Sequence, residues 1–257
     1  MTILVVGATG ATGRLLVQQL LNRNQTVKAV VRTPEKLPQA IRNHKKLQVI
    51  QAAILDLRDE EMVQLVGGCT AVASCLGHNL NLKGIYGAPR LLVTETARRL
   101  CRAIKTNQPP QPVRYVLMNT AGNRNRDIPE QVSFQEKGVV GLLRLLLPPQ
   151  RDNEKAADYL RQEIGQNDQA IQWAAVRPDS LIDEAAVSPY ETHASPIRSA
   201  IFDPGKTSRI NVAHFMAELI TEDALWQKWQ GQMPVLYNTA VPPAHKALAG
   251  SQGEGHR

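Results

Sequence analysis

The chain has 257 residues and is 43% hydrophobic, enough for one large α/β domain with a sizeable core. Its 30 Lys and Arg against 23 Asp and Glu give a formal charge of +7, but the basic residues are scattered. With only three Phe, five Tyr and three Trp, a base-stacking nucleic-acid platform is not expected. The greasiest stretch, 138–147, contains Arg144 and ends at Pro148-Pro149, short of the roughly 20 apolar residues of a membrane span.

No secretory signal is read at the start, where Met1 leads straight into an apolar run and then glycines. Cys69, Cys75 and Cys101 form no CxxC pair and no metal-type cluster. The expectation is a cytoplasmic protein without a metal.

In chain order, strand and helix patterns alternate, which predicts a doubly wound parallel sheet of Rossmann-like α/β class, with helices on both faces. Strands are predicted at Thr2–Val6, Thr26–Val31 and Leu47–Gln51, then at residues 71–75, Val113–Met118 and residues 171–176. Between them fall helices over 14–22, a short one opened by Pro34, Asp59–Val66 and a long one over 88–106. Residues 121–149 read as an inserted loop and helix, and 152–164 as a helix capped by Asp152. From Arg177 to Gly205 turn residues dominate, and a helix over 211–220 and a strand over 234–238 follow. The predicted organisation is a single domain over 1–240, with 180–240 contributing a small substrate lobe over the strand ends. Residues 241–257 are predicted to be an unstructured tail.

The strongest local signal is Gly7-Ala8-Thr9-Gly10-Ala11-Thr12-Gly13, directly after a strand and opening a helix. A diphosphate approaches backbone N–H groups at a helix N-terminus, where the macrodipole is positive. In that arrangement Gly7 permits the tight turn, a side chain on Gly10 would block the phosphates, and Gly13 lets helix and strand pack closely. Thr9 and Thr12 can add hydroxyl donors. At the end of the second strand, where NAD enzymes usually carry an acid, stands Arg32 in Val30-Val31-Arg32-Thr33-Pro34. A guanidinium suits a 2′-phosphate, with Arg14 and Lys36 able to assist, so the expected cofactor is NADP(H).

The GATGATG loop, Arg32 with Thr33 and Pro34, Asp56 after the third strand, and Val176-Arg177-Pro178 after the sixth resemble the atypical short-chain dehydrogenase/reductases. More narrowly they resemble the NAD(P)H-binding group of NmrA-like proteins and biliverdin IXβ/flavin reductases, over roughly residues 1–220. The resemblance implies that Asp56 and Leu57 flank the adenine and that Cys75, Leu76 and Gly77 line the cofactor through their backbone. It implies an active-site hydroxyl near Asn119, Thr120 and Ala121, with Lys155 beneath the nicotinamide ribose and Pro178 beside the carboxamide. Thr120 and Lys155 are the catalytic candidates it names.

One departure stands out. Short-chain dehydrogenases use Tyr-x-x-x-Lys, in which the lysine lowers the tyrosine pKa for proton exchange. Four residues before Lys155 this chain has Arg151, which stays protonated, and Tyr159 lies one helical turn the wrong way. His78, after the fourth strand, and His193 are further candidates for acid–base work.

Three functions remain open. One is an NADPH-dependent reductase of a flavin-, tetrapyrrole- or quinone-like acceptor, and the second a non-catalytic NADP(H) sensor of the NmrA-like kind. A weaker third, an epimerase or dehydratase, also needs the missing acid–base pair. The expected partner is a small molecule, without nucleic acid or membrane, and the chain is expected to be a monomer or weak homodimer.

Overall fold

The computed structural model describes residues 1–78, 87–130 and 148–239. The predicted helix within the insertion and the predicted tail fall wholly or largely outside these residues.

Continuous apolar runs make the central strands, because helices cover both faces of the sheet. The strands of the first half are β1 (Thr2–Val6), β2 (Thr26–Val31), β3 (Leu47–Gln51), β4 (Ala71–Ser74) and β5 (Val113–Met118). Those of the second are β6 (Ile171–Pro178), β7 (Ser180–Ile182), β8 (Tyr190–His193), β9 (Lys206–Ser208) and β10 (Val235–Asn238). The helices are α1 (Ala11–Asn22), α2 (Gln39–Arg42), α3 (Asp59–Val66), α4 (Leu92–Thr106), α5 (Pro148–Tyr159), α6 (Arg209–Thr221) and α7 (Asp223–Trp229).

The main sheet has eight strands in the order β3-β2-β1-β4-β5-β6-β10-β8. All neighbours pair in parallel except β8, which runs antiparallel to β10. β7 and β9 form a separate two-stranded parallel sheet. This is the Rossmann-like α/β fold that the strand–helix alternation predicts. Alternate residues of β1 supply two cores: Ile3 and Val5 pack with α1, α6 and α7, while Leu4 and Val6 pack with α3, α4 and α5. On α4, Val93, Ala97, Leu100, Cys101 and Ile104 recur at helical spacing and are all buried, which aligns that helix along the sheet.

Several predicted boundaries shift. The long helix starts at Leu92 instead of residue 88, because its first turn is capped from a distant segment. Val93 N–H and Thr94 N–H donate to the Asp152 carboxylate at 2.8 and 2.9 Å. Asp152 therefore does not cap its own helix: α5 already begins at Pro148, and Asp152 lies inside it, fully buried. After Tyr159 that helix widens into a π turn over Leu160–Ile164. β6 extends two residues past its prediction, through Arg177 and Pro178, which pair with Val235 and Leu236 of β10. The short strands β7, β8 and β9 and helix α7 carry no sequence signal strong enough to have been predicted.

Candidate functional site

In an open parallel sheet, ligands bind beyond the carboxyl ends of the strands where the order reverses, here between β1 and β4. A cavity of about 460 Å³ opens at that point. Its walls come from the loop after β1, the ends of β2 and β3, the loop after β4, and the end of β5.

The glycine loop is shaped by close backbone contact. Gly7 has a φ of +77°, in the left-handed region that disfavours side chains. A Cβ there would also lie 2.6 Å from the carbonyl carbon and oxygen of Cys75, so the loops after β1 and β4 touch backbone to backbone. A Cβ on Gly13 would collide with the Gly7 carbonyl oxygen. On Gly10 it would meet that oxygen at 3.2 Å, and the rest of its surroundings belong to the cavity. No side chain caps the N-terminus of α1, so its first-turn N–H groups are left to a ligand or solvent. A diphosphate fits this cradle by the chemistry of its donors.

Of the predicted cofactor residues, Gly7, Thr9, Gly10, Ala11, Thr12, Arg32, Asp56, Cys75, Leu76 and Gly77 all line the cavity. Gly13 lies just beneath, against Gly7. Lys36 joins Arg32 on the wall, whereas Arg14 does not. Arg32 and Lys36 are exposed, and among the described residues neither makes an ion pair. Leu57 turns to the core packed around α3 and α4, and Leu55 takes its place on the wall.

Thr120, Lys155 and Pro178 are not brought to the cavity walls. Thr120 closes a local turn, its hydroxyl accepting the Gly122 N–H at 3.3 Å. Lys155 is exposed on α5, which instead turns Asp152, Glu154, Ala156 and Ala157 inward. The Pro178 carbonyl accepts the Ala121 N–H at 2.9 Å, tying β6 to the chain after β5. Asn119 strengthens that junction: its amide donates to Asn153 O at 2.9 Å, and its side-chain oxygen accepts Thr120 N–H at 2.8 Å.

Tyr159 faces another part of the surface, a groove lined with Glu95, Arg98, Arg102, Lys105, Thr106 and Glu163. Burial raises its phenol pKa, with Cys101 and Glu163 adding to the effect and Arg98 opposing it. A short-chain dehydrogenase tyrosine needs the opposite shift. At the cavity, burial pushes the Cys75 thiol up to about 12, so it stays protonated and is a poor nucleophile.

Two groups that carry the site's surroundings were legible only in part. His78 lines the cavity, and its Nε2 lies 2.8 Å from Asp152 Oδ2. Arg177, fully buried, forms an ion pair with Glu130 at 2.7 Å. It also donates to the carbonyls of Met233, Asn123 and Ala194 at 2.6, 2.8 and 3.0 Å. Burial lowers the guanidinium pKa and Glu130 opposes the shift. His193 sits away from the cavity, 3.3 Å from Glu191 and beside the Tyr237 ring.

Residues 7–223 match the model of a family described as NAD(P)H-binding. The chain belongs to this NAD(P)H-binding family. The match agrees with the resemblance drawn from the glycine loop and the motifs after it, and it supports a nicotinamide cofactor.

Among solved structures, the chain is similar to a short-chain dehydrogenase/reductase of Veillonella parvula in complex with NADP. That likeness has a TM-score of 0.66 and 15% identity, and covers 92% of this chain and 94% of the other. An oxidoreductase of Lactococcus lactis gives 0.65 and 19%, covering 93% and 91%. A candidate NADH-flavin reductase of Streptococcus pneumoniae gives 0.60 and 15%, covering 93% and 100%. At these identities the likeness is one of fold. A curated relative, an uncharacterised chloroplastic protein of Arabidopsis thaliana, is 34% identical over 73 residues, 28% of this chain and 26% of that one. The match thus spans about a quarter of either protein. No helix among the described residues is long and apolar enough to cross a membrane.

Proposed function

We propose that this protein is an NADP(H)-dependent reductase that passes hydride to a flavin-, tetrapyrrole- or quinone-like acceptor. The observation that carries the reading is the make-up of the cavity walls. Among the described residues they hold the Gly7–Gly13 loop and an Arg32 without an ion pair, but no tyrosine. Chemistry that needs a phenol with a lowered pKa is therefore disfavoured, and acceptors of these three classes do not require one.

In this reading the Gly7–Gly13 backbone and the N-terminus of α1 hold the diphosphate. Arg32, aided by Lys36, holds the 2′-phosphate through charge-assisted bonds. Asp56 takes the adenine amino group, and the backbone from Cys75 to Gly77 runs along the cofactor. When bound, the dihydronicotinamide supplies the hydride, and the protein contributes orientation and exclusion of side reactions. The three free thiols Cys69, Cys75 and Cys101 suit a reducing cytoplasm.

A second reading, a non-catalytic NADP(H) sensor, draws support from Thr120 and Lys155 lying off the cavity walls. One assay separates the two: steady-state NADPH oxidation with a panel of flavins, quinones and biliverdin. Turnover with any of them, faster with NADPH than with NADH, supports the reductase. Tight NADP(H) binding without turnover on any acceptor moves the assignment to the sensor.

A further inference from the structure

Beside the ends of β2 and β3, the turn that joins β3 to α3 is held by a side chain from another element. Ile54–Asp56 form a single 3-10 turn, in which Asp56 N–H donates to Ala53 O at 2.9 Å. Leu55 and Asp56 line the cavity. Arg99, midway along α4, reaches this turn with its whole guanidinium. One terminal nitrogen, Nη1, donates to Leu55 O at 2.8 Å, and the other, Nη2, donates to Leu57 O. Nε and Nη2 also meet Asp59 Oδ1 at 3.2 and 3.0 Å.

The two carbonyls bracket Asp56, so one rigid planar fork sets the backbone on both sides of it. The Arg99 side chain is 19% exposed, whereas that of Asp59 is 63% exposed. An ion pair to so exposed a carboxylate is worth little by itself, and neutralising Arg99 would not require two carbonyls from a turn 40 residues and more away. The Asp56 side chain is exposed and, among the described residues, makes no ion pair. With no counter-charge to hold the carboxylate, its aim into the cavity comes from the backbone beneath it, and Arg99 holds that backbone.

We propose that Arg99 is the positioning residue of the adenine subsite: by clamping the carbonyls of Leu55 and Leu57 it keeps Asp56 aimed at the adenine amino group. The inference rests on the reading of Asp56 given above and deepens it, and it holds for a reductase and for a sensor alike. A carboxylate accepts a hydrogen bond from the amino group of adenine and repels the carbonyl oxygen that replaces it in hypoxanthine. A held Asp56 therefore discriminates the two bases, and one on a loosened turn moves away from both.

The test titrates the full chain calorimetrically with NADP⁺ and with its deamino analogue, nicotinamide hypoxanthine dinucleotide phosphate. Wild type should bind NADP⁺ about tenfold more tightly than the analogue, or better. Asp56→Ala should abolish the preference. Arg99→Met should reduce it to about twofold or less, and adding Asp56→Ala to that variant should cost no further preference. Asp59→Asn, which keeps both carbonyl bonds, should retain the wild-type preference, which a mere tie between α3 and α4 through the ion pair does not predict. Arg99→Lys keeps the charge but cannot span two carbonyls, so it should lose most of the preference. If Arg99→Met does not fold, Arg99→Lys carries the test. A preference in the folded Arg99 variants within about twofold of wild type overturns this proposal while leaving the Asp56 reading standing. A preference lost as fully in Asp59→Asn as in Arg99→Met overturns it as well. No preference in wild type, or one that survives Asp56→Ala, overturns both.

Discussion

The loop after β1 and the segment after β5 leave the same sheet at the same edge, yet they are held by different means. In the first, Gly7, Gly10 and Gly13 bring backbone against backbone, and the only requirement is that no side chain be present. In the second, residues 119–130 are pinned by side chains reaching across the fold. Asn119 bonds to Asn153 O, and Glu130 pairs with Arg177, which in turn gathers the carbonyls of Asn123, Ala194 and Met233. One region is rigid through geometry within a few residues, the other through buried charge between distant ones. The first should therefore fail when something is added, the second when something is taken away.

The largest effect is expected where the buried pair is broken. Glu130→Ala leaves the Arg177 guanidinium buried without its counter-charge, and loss of one partner of such a pair typically costs about 3–5 kcal/mol. Denaturant unfolding should show that loss. A destabilisation below about 1 kcal/mol would mean that Arg177 is held by the three carbonyls alone.

Next comes the added methyl. Gly7→Ala places a Cβ in a left-handed conformation and against the Cys75 carbonyl, an expected cost of about 2–4 kcal/mol. Calorimetry on the folded variant should find NADP(H) binding lost, because the two loops can no longer meet. Retention of wild-type affinity would show that the cradle tolerates separation.

Arg32→Ala should act on the ligand and not on the fold, since Arg32 is exposed and ion-pairs with nothing among the described residues. A charge-assisted bond to phosphate is worth about 1.5–3 kcal/mol. NADP affinity should then fall roughly 10- to 150-fold while NAD affinity and the unfolding midpoint stay put. Equal losses for NADP and NAD would remove the 2′-phosphate role.

The smallest expected effect concerns pH. His214 lies 2.9 Å from the Tyr190 hydroxyl and 3.3 Å from Glu218. Burial lowers its pKa, Glu218 opposes the shift, and Arg23 adds to it. The unfolded chain then binds the proton more readily than the folded one. The contribution is fully present above the ordinary histidine range and is lost as pH falls through it. Between about pH 7 and 5, the Tm of His214→Gln should fall less steeply than that of wild type. Parallel slopes would place the acid sensitivity elsewhere.

The contrast between the two regions also explains what could be read beforehand. Strands β1, β2, β3 and β5 and helix α3 have the bounds that periodicity predicts, because their apolar runs meet a core whichever neighbours provide it. The glycine loop was legible for a related reason: its conformation excludes side chains, and an exclusion is written directly in the residues. Arg32 was placed by its position at the end of β2. The start of α4 differs from the periodicity because its cap, Asp152, lies 59 positions from Val93 in the sequence. Asp152 carries the same residue type as a local cap, and nothing within its own segment says which helix it serves.

By itself, then, the sequence determined the parallel sheet with its helical layers, the glycine loop and the basic residue beside it. Each of these follows from interactions spanning a few residues or from apolar periodicity that any core will satisfy. Tertiary structure alone decided that Tyr159 faces an outer groove, that Lys155 is exposed, and that His78, on the cavity wall, meets the buried Asp152. It alone decided that Arg177 meets Glu130. A buried polar group must find a partner, but its own segment does not name that partner: the choice is made when the strands and helices close around it.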